Sequence, residues 1–400
     1  MFDEEGPFSV YLPALTLMIS SGSREAYSDL RVAVLHNYRE EQQPSMRLYA
    51  ERLGDALLRR DVRVTRVRPP MVVPAEWRAR SATWNKVDSY VVRFAVYPRL
   101  LRNLRADVVH IADHGQGYLV AGLDGRRTVV TCHDVILLVL AAGRLAGTRV
   151  PRVALQILRI SLEIMKRAAM VVADSIQTKR DLVDLVHIDP DKVVVIHPGL
   201  NQAFSPHPSG AQDLRRRFGF GAGPVILQIG RGFYKNLPTV LQVLRRLRDG
   251  GIEARVARVG PPLTGADRAL AERLGVLASV VELGAISDAD LPALYSAVDL
   301  LLFPSLYEGF GWPPLEAMAS GTPVVCSRAG SLDEIVGDAA LTADPEDFET
   351  LAWHAAAVLT EGETRARLIE RGLARAGLFN WDRTASEMLA VYRAVIDRAG

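Results

Sequence analysis

The sequence predicts an α/β protein made of two facing, doubly wound parallel-sheet domains with a cleft between them. From residue 31 onward, short β-branched runs alternate with helical stretches, as expected for a parallel sheet covered by helices on both faces. The alternation pauses over a Pro- and Gly-rich stretch from Pro198 to Pro224 and then restarts. A chain of 400 residues also has room for two domains of near-equal size, each with its own core. The expected division is an N-terminal extension at 1–30, a first domain at 31–197, a linker at 198–223, a second domain at 224–380 and a helix at 381–400 that crosses back to brace the first domain.

The first series of strands reads Arg31–His36, Val62–Val67, Asp107–Ile111, Thr128–Cys132, Met170–Ala173 and Lys192–Ile196. Helices are expected between them, at 45–60, 85–105, 151–167 and 176–186. The second series reads Val225–Ile229, Ala254–Val259, Val280–Leu283, Leu300–Phe303 and Pro323–Cys326, with helices at about 236–249, 265–275, 288–298 and 313–320. The tail from Phe379 to Arg398 is a further amphipathic helix, opening at Asn380-Trp381-Asp382. In such sheets ligands bind outside the carboxyl ends of the strands, so functional motifs belong in the loops that follow them.

Composition narrows the function. With 49% hydrophobic and 24% charged residues, the chain is neither disordered, collagenous nor a disulfide scaffold. A net charge of +2 lacks the one-signed field of a dedicated nucleic-acid binder, so no nucleic-acid partner is expected. Cys132 and Cys326 stand in separate strand-like runs, which excludes a disulfide framework and a cysteine zinc site and fits a reducing, cytoplasmic setting. The apolar run Phe8 to Ile19 follows Asp3, Glu4 and Glu5, where a signal peptide carries positive charge, and is shorter than the roughly 20 residues that span a bilayer. It reads as a mobile or surface-docked tail. Residues 45–105 hold fourteen Lys or Arg against five Asp or Glu, interleaved with Trp77, Trp84, Tyr90, Phe94 and Tyr97. Ordinary amphipathic helix faces account for that pattern, and it equally suits peripheral contact with the anionic inner face of a membrane.

Two loops hold candidate chemistry. Gln228-Ile229-Gly230-Arg231-Gly232-Phe233-Tyr234-Lys235-Asn236 follows the first strand of the second series and precedes a helix. A glycine-rich loop at a helix start offers backbone N–H groups to an anion, and Arg231 and Lys235 add two cations, so the loop reads as a diphosphate grip. The third glycine of a dinucleotide fingerprint would fall on Lys235, a cation a nicotinamide site does not need. Lysine is scarce, five against 43 arginines, which suggests a specific demand for an ammonium there, the alternative being a chance surface lysine. The second loop runs from Pro304 to Gly321: Gly309 and Gly311 permit close backbone approach to a ligand, Pro313-Pro314 starts a helix, and Glu308 and Glu316 bracket the turn. Singly, these carboxylates are ordinary loop and helix-dipole charges. Together they suggest acceptors for ligand hydroxyls.

Glu308-Gly309-Phe310-Gly311 through Glu316, followed by Ala317-Met318-Ala319-Ser320-Gly321-Thr322-Pro323, resembles the Glu-x7-Glu motif of retaining glycosyltransferases with two Rossmann-like domains, the GT-B type, family four or group 1. The resemblance extends through Gly230-Arg231 to Lys235-Asn236, Ala329-Gly330-Ser331 with Glu334, Gly337-Asp338, Asp344-Pro345 and Phe379-x-Trp381, and in the first half through His133-Asp134, Asp174-Ser175, Thr178, Leu182 and His197-Pro198-Gly199. It implies that Arg231 and Lys235 hold a donor diphosphate, with Gly230, Gly309, Leu315 and backbone around Phe310 and Gly311 completing the donor site. It places Glu308 on hydroxyls of the transferred sugar, Glu316 on the ribose, Glu282 near the nucleobase and His133 on the sugar or reacting centre, with Asp134 orienting its loop. The implied catalytic group is His133, Arg231, Lys235 and Glu308.

The implied reaction is metal-independent transfer of a hexose, with retention, from a nucleotide-sugar donor to a saccharide or lipid-linked acceptor, without a cofactor. Pro313-Pro314 resembles mannosyltransferases of polysaccharide assembly, which makes GDP-mannose the first donor and a UDP-sugar the second. Many relatives carry a Gly-Gly pair after the first strand, where this chain has Gln42-Gln43-Pro44-Ser45-Met46. The rival readings are a sugar-nucleotide epimerase of the same fold and a degraded nucleotide-sugar-binding scaffold. Asp288-Ala289-Asp290 spells a metal signature but opens a helix, where aspartates serve as caps, and His110 with His114 lacks a third ligand, so no metal site is expected.

Overall fold

The computed structural model describes residues 27–38, 44–145, 147, 150–200 and 203–400. The expectations for 1–26 and for Gln42 and Gln43 lie outside the described residues.

Two six-stranded, fully parallel sheets form the chain. The first contains β1 (Arg31–Leu35), β2 (Arg63–Val67), β3 (Val108–Ile111), β4 (Thr128–Cys132), β5 (Met170–Ala173) and β6 (Val193–Val195), in the order β2-β1-β3-β4-β5-β6. The second contains β7 (Val225–Ile229), β8 (Arg255–Val259), β9 (Val280–Gly284), β10 (Leu300–Phe303), β11 (Val324–Ser327) and β12 (Leu341–Ala343), in the order β12-β11-β10-β7-β8-β9. Strand order therefore reverses beside β1 and β3 in one sheet and beside β7 and β10 in the other, and a crevice opens at such points. Strand alternation divides each core into two layers. In β1, Val32 and Val34 face one layer while Leu35 faces the other.

The expected strands are present, with ends shifted by a residue or so. β12 was not expected: it has three residues, of which only Ala343 is fully buried, too short a run to stand out by pattern. The single helix expected at 85–105 is instead Ala75–Arg80, then Ala82–Val91 capped by Ser81, a five-residue π turn at Val92–Val96 and Tyr97–Leu101. The stretch expected as linker contains the helix Pro208–Arg217, which starts on proline and packs Ala211 and Leu214 into the second domain. Arg215 ties it there, donating to the Ala297 carbonyl at 2.8 Å and to Asp299 at 3.2 Å. The helix expected from Asp288 begins at Leu291. Helices Phe348–Thr360 and Gly362–Gly377 complete the second domain.

The C-terminal helix Trp381–Ala399 does cross back. Its Trp381, Met388, Leu389 and Tyr392 are buried with Val32 and Tyr49 of the first domain. Thr384 Oγ1 donates to the His197 carbonyl and Trp381 Nε1 to the Leu200 carbonyl, both at 2.8 Å.

Candidate functional site

Asn236, just beyond the loop after β7, adopts φ 53° and donates to the carbonyls of Pro304 (3.1 Å) and Pro345 (2.7 Å), which locks that loop against the one after β10. Gly230 leaves room for the Lys235 stem, whose Cε would lie 2.7 Å from a Cβ at that position. Lys235 Nζ reaches Glu308 Oε1 at 2.5 Å, with side chains 12% and 10% exposed, and lies over the ring of Phe303 at 4.7 Å. The structure thus unites the expected phosphate cation and the expected sugar-binding carboxylate as one buried ion pair between β7 and β10. Arg231 stands exposed beside them. Burial and the Glu308 and Asp134 charges push the neighbouring Tyr234 hydroxyl up to about 12.

Glu316, on the helix Trp312–Ala319, accepts a hydrogen bond from the Tyr295 hydroxyl at 2.8 Å. Burial raises its carboxyl to about 7; the Tyr295 hydrogen bond opposes the rise and the Asp288 charge adds to it. Glu316, Asp288 and Leu291 form one wall of an interdomain cavity of about 840 Å³, whose opposite wall includes His36, Asn37, Glu51 and Arg68 of the first domain. Neither Lys235 nor Glu308 lines this cavity.

Several residues expected at the donor site also make contacts within the protein. His133 follows β4, but its ring is 6% exposed, with Nδ1 2.6 Å from Asp174 and Nε2 2.8 Å from the Ala112 carbonyl. Both partners only accept, so both nitrogens donate and the ring is an imidazolium. Burial opposes that charge, yet Asp174 and Asp113 outweigh it and raise the group to about 9. The ring thus has no free nitrogen for a sugar. Gly309 is required because a Cβ there would strike the His133 backbone carbonyl: its close approach is to the other domain. The side chains of Leu315 (0% exposed) and Phe310 (5%) belong to the second domain's core, while the backbone groups expected at the donor start the helix that carries Glu316. Glu282 is taken up by the Leu263 N–H at 2.7 Å and Arg268 at 3.0 Å. Asp134 orients its loop as expected, accepting from the Ile136 N–H at 3.0 Å. Gly311, at φ 104°, opens the helix that carries Glu316.

The domains also meet through a set of polar contacts. Ser175 donates to the Gly309 carbonyl at 2.6 Å, and Tyr307 to Asp181 at 2.8 Å. Glu334 accepts from the Ile176 N–H (2.9 Å) and pairs with His197 Nε2 (2.7 Å). Tyr295, Tyr307 and Asp181 were not singled out in the sequence; their partners lie 21 and 126 residues away, and no local pattern marks them.

His110 is buried between the Tyr392 hydroxyl (2.5 Å) and Thr131 (2.8 Å). Asp290 approaches Arg217 at 3.5 Å. On the outer face, Trp77, Trp84, Tyr90 and Phe94 are each at least 40% exposed, with the two tryptophan rings 5.2 Å apart, whereas Tyr97 is buried. Among the described residues no helix is long and apolar enough to cross a membrane.

Two family models match: "Glycosyltransferase Family 4" over residues 46–204 and "Glycosyl transferases group 1" over residues 212–375. An O-antigen chain mannosyltransferase B of Escherichia coli is 45% identical over 111 residues, 28% of this chain and 29% of its own length. A D-inositol 3-phosphate glycosyltransferase of Salinispora arenicola is 36% identical over 257 residues, 60% of this chain and 57% of its own. The chain thus spans less than two thirds of these curated relatives. Among solved structures, HepE of Anabaena in complex with UDP and glucose shares the fold, with a TM-score of 0.70 at 18% identity over 91% of this chain and 100% of that one.

Proposed function

Because the chain belongs to the group 1 glycosyltransferases of GT-B architecture, we propose that it transfers a hexose from a nucleoside diphosphate donor to an acceptor hydroxyl, with retention at the anomeric carbon and without a metal ion. The observation that carries this reading is the buried Lys235–Glu308 pair at the reversal between β7 and β10, with Arg231 beside it. Charge leaves with the diphosphate, so an ammonium held in a nearly dry site stabilises the anion where it develops. Glu308 positions Lys235 in the absence of donor and accepts sugar hydroxyls when the diphosphate takes the ammonium. Retention without a protein nucleophile follows from a same-face route: the leaving phosphate oxygen takes the acceptor's proton as the new glycosidic bond forms and the old one breaks.

The E. coli relative's name supports mannose, hence GDP-mannose, as the first donor, and the UDP complex of HepE supports a UDP-sugar as the second. A saccharide or lipid-linked acceptor in glycoconjugate synthesis agrees with both relatives. The exposed Trp77, Trp84, Tyr90 and Phe94 among arginines support peripheral docking on an anionic, cytoplasmic membrane face.

The test is an NMR analysis of the products from GDP-mannose or UDP-glucose with a saccharide acceptor. Release of the diphosphate together with a glycoside of the donor's own anomeric configuration is expected. An inverted glycoside contradicts retention, and solvent hydrogen appearing in the sugar ring of an intact nucleotide sugar establishes the epimerase reading instead.

A further inference from the structure

Glu316 borders the interdomain cavity, and the two oxygens of its carboxyl have different surroundings. The Tyr295 hydroxyl donates to Oε2 at 2.8 Å. Oε1 has no hydrogen bond among the described residues and keeps open surface, so it is the oxygen that meets the cavity. Tyr295 itself is fully buried, and burial together with the Glu316 charge pushes its hydroxyl well above the ordinary range, so it keeps its proton and donates. Its ring stands edge-on to Phe204 at 5.8 Å, and its carbonyl accepts from Thr322 Oγ1 at 2.6 Å. Thr322 lies just past the helix that carries Glu316, so the two residues are held together through the backbone as well as through their side chains. Asp288 and Leu291, on the same stretch of chain as Tyr295, form the cavity wall beside Glu316.

We propose that Tyr295 is a positioning residue for nucleoside recognition: by occupying Oε2 it presents Oε1 of Glu316 to the ribose hydroxyls, and so sets a preference for ribonucleotides over nucleotides that lack those hydroxyls. The proposal rests on the reading of Glu316 as the ribose ligand. A carboxylate free to turn about its last bond offers its oxygens in many directions, and a hydrogen bond from behind removes that freedom. The same bond favours the charged form. Burial raises the carboxyl to about 7, the Asp288 charge adds to the rise, and Tyr295 opposes it. Across the cavity the titratable and charged groups are His36, Arg47, Glu51 and Arg68. The ionised carboxylate accepts from ribose hydroxyls more strongly than the neutral acid, so position and charge act in the same direction.

The test is calorimetric titration of the full chain with GDP and UDP, each against its 2′,3′-dideoxy counterpart, across neutral pH. The parent is expected to prefer the ribonucleotide, and the preference to grow as pH rises through about 7. Tyr295→Phe keeps the ring against Phe204. In that variant the preference at neutral pH is expected to fall about tenfold, the scale of one hydrogen bond to a charged group, and its growth to move to higher pH. Affinity for the dideoxynucleotide is expected to stay at the parent value, which also shows that the variant is folded. In a Glu316→Ala background, adding Tyr295→Phe is expected to change neither affinity, because Tyr295 acts through Glu316. A parent-like preference and pH profile in Tyr295→Phe, or an equal loss of both nucleotides, overturns the positioning role and leaves the donor reading intact. Equal binding of the ribo- and dideoxynucleotide by the parent overturns the ribose role of Glu316 and the positioning role with it. Binding of neither GDP nor UDP overturns both this proposal and the transferase reading.

Discussion

Replacing Lys235 by methionine removes the ammonium but keeps most of its stem volume. In the folded chain Lys235 Nζ is 2.5 Å from Glu308 Oε1 and the two side chains are 12% and 10% exposed, so the variant strands a carboxylate in a nearly dry site. Breaking one partner of such a pair costs about 3–5 kcal/mol of stability. Turnover loses a separate contribution, about 2.7–4 kcal/mol of barrier, the scale of losing one group that stabilises a developing anion. The two effects separate in Lys235→Met combined with Glu308→Gln, which leaves no buried charge. Replacing a buried pair by neutral groups is often neutral for stability, so the double variant is expected to unfold close to the parent while remaining as inactive as the single one. Urea unfolding reports the first effect, and release of nucleoside diphosphate from GDP-mannose or UDP-glucose the second. Near-parental turnover in Lys235→Met, or activity returning with stability in the double variant, would refute the catalytic role and leave the pair purely structural.

Glu316 titrates near 7 in the fold against 4.5 ordinarily, chiefly through burial. Its protonated form is therefore favoured by folding, so stability relative to Glu316→Gln is kept below about pH 4.5 and lost as pH rises through 7, by about 3 kcal/mol, measurable by urea unfolding at pH 5 and 8.5. His133 has the opposite charge type: raised to about 9 by Asp174 and Asp113 against burial, it contributes stability that is complete below about 6.5 and lost as pH rises through 9. Midpoints recorded from pH 6 to 10 should fall in that window for the parent, and the fall should be absent in His133→Phe. Leu315→Ala should cost about 2–5 kcal/mol as a core cavity, with donor KM unchanged once folding is complete. Serine at Trp77, Trp84, Tyr90 and Phe94 together should abolish cosedimentation with anionic vesicles at unchanged thermal stability; retained cosedimentation removes the membrane reading.

Strands and loops were legible in the sequence because their signals are local. β-branched runs mark the strands, and the glycines, Lys235 and Glu308 lie within single loops. That those two residues, 73 apart in sequence, form one ion pair follows from the pairing of β7 with β10, which spacing alone does not reveal. His133 shows the limit in another way: its place after β4 was predictable, but the direction of its ring depends on Asp174, at the end of the adjacent β5. Leu315 was recoverable in principle, since it and Met318 share a helical face that packs into the core. The helix Pro208–Arg217 was hidden because proline and glycine at its start read equally as a linker or a first helical turn.

The central claim is that the loop Gly230–Lys235 grips a nucleoside diphosphate. It is tested most directly by the unfolding midpoint with GDP, UDP, a deoxythymidine diphosphate and NAD, each with magnesium and with a chelator. A ligand at 100 times its dissociation constant adds about 2.7 kcal/mol to native stability. GDP or UDP is expected to raise the midpoint equally with and without magnesium, NAD is not, and the rise is expected to disappear in the Lys235→Met, Glu308→Gln double variant. A midpoint unmoved by every diphosphate would contradict it.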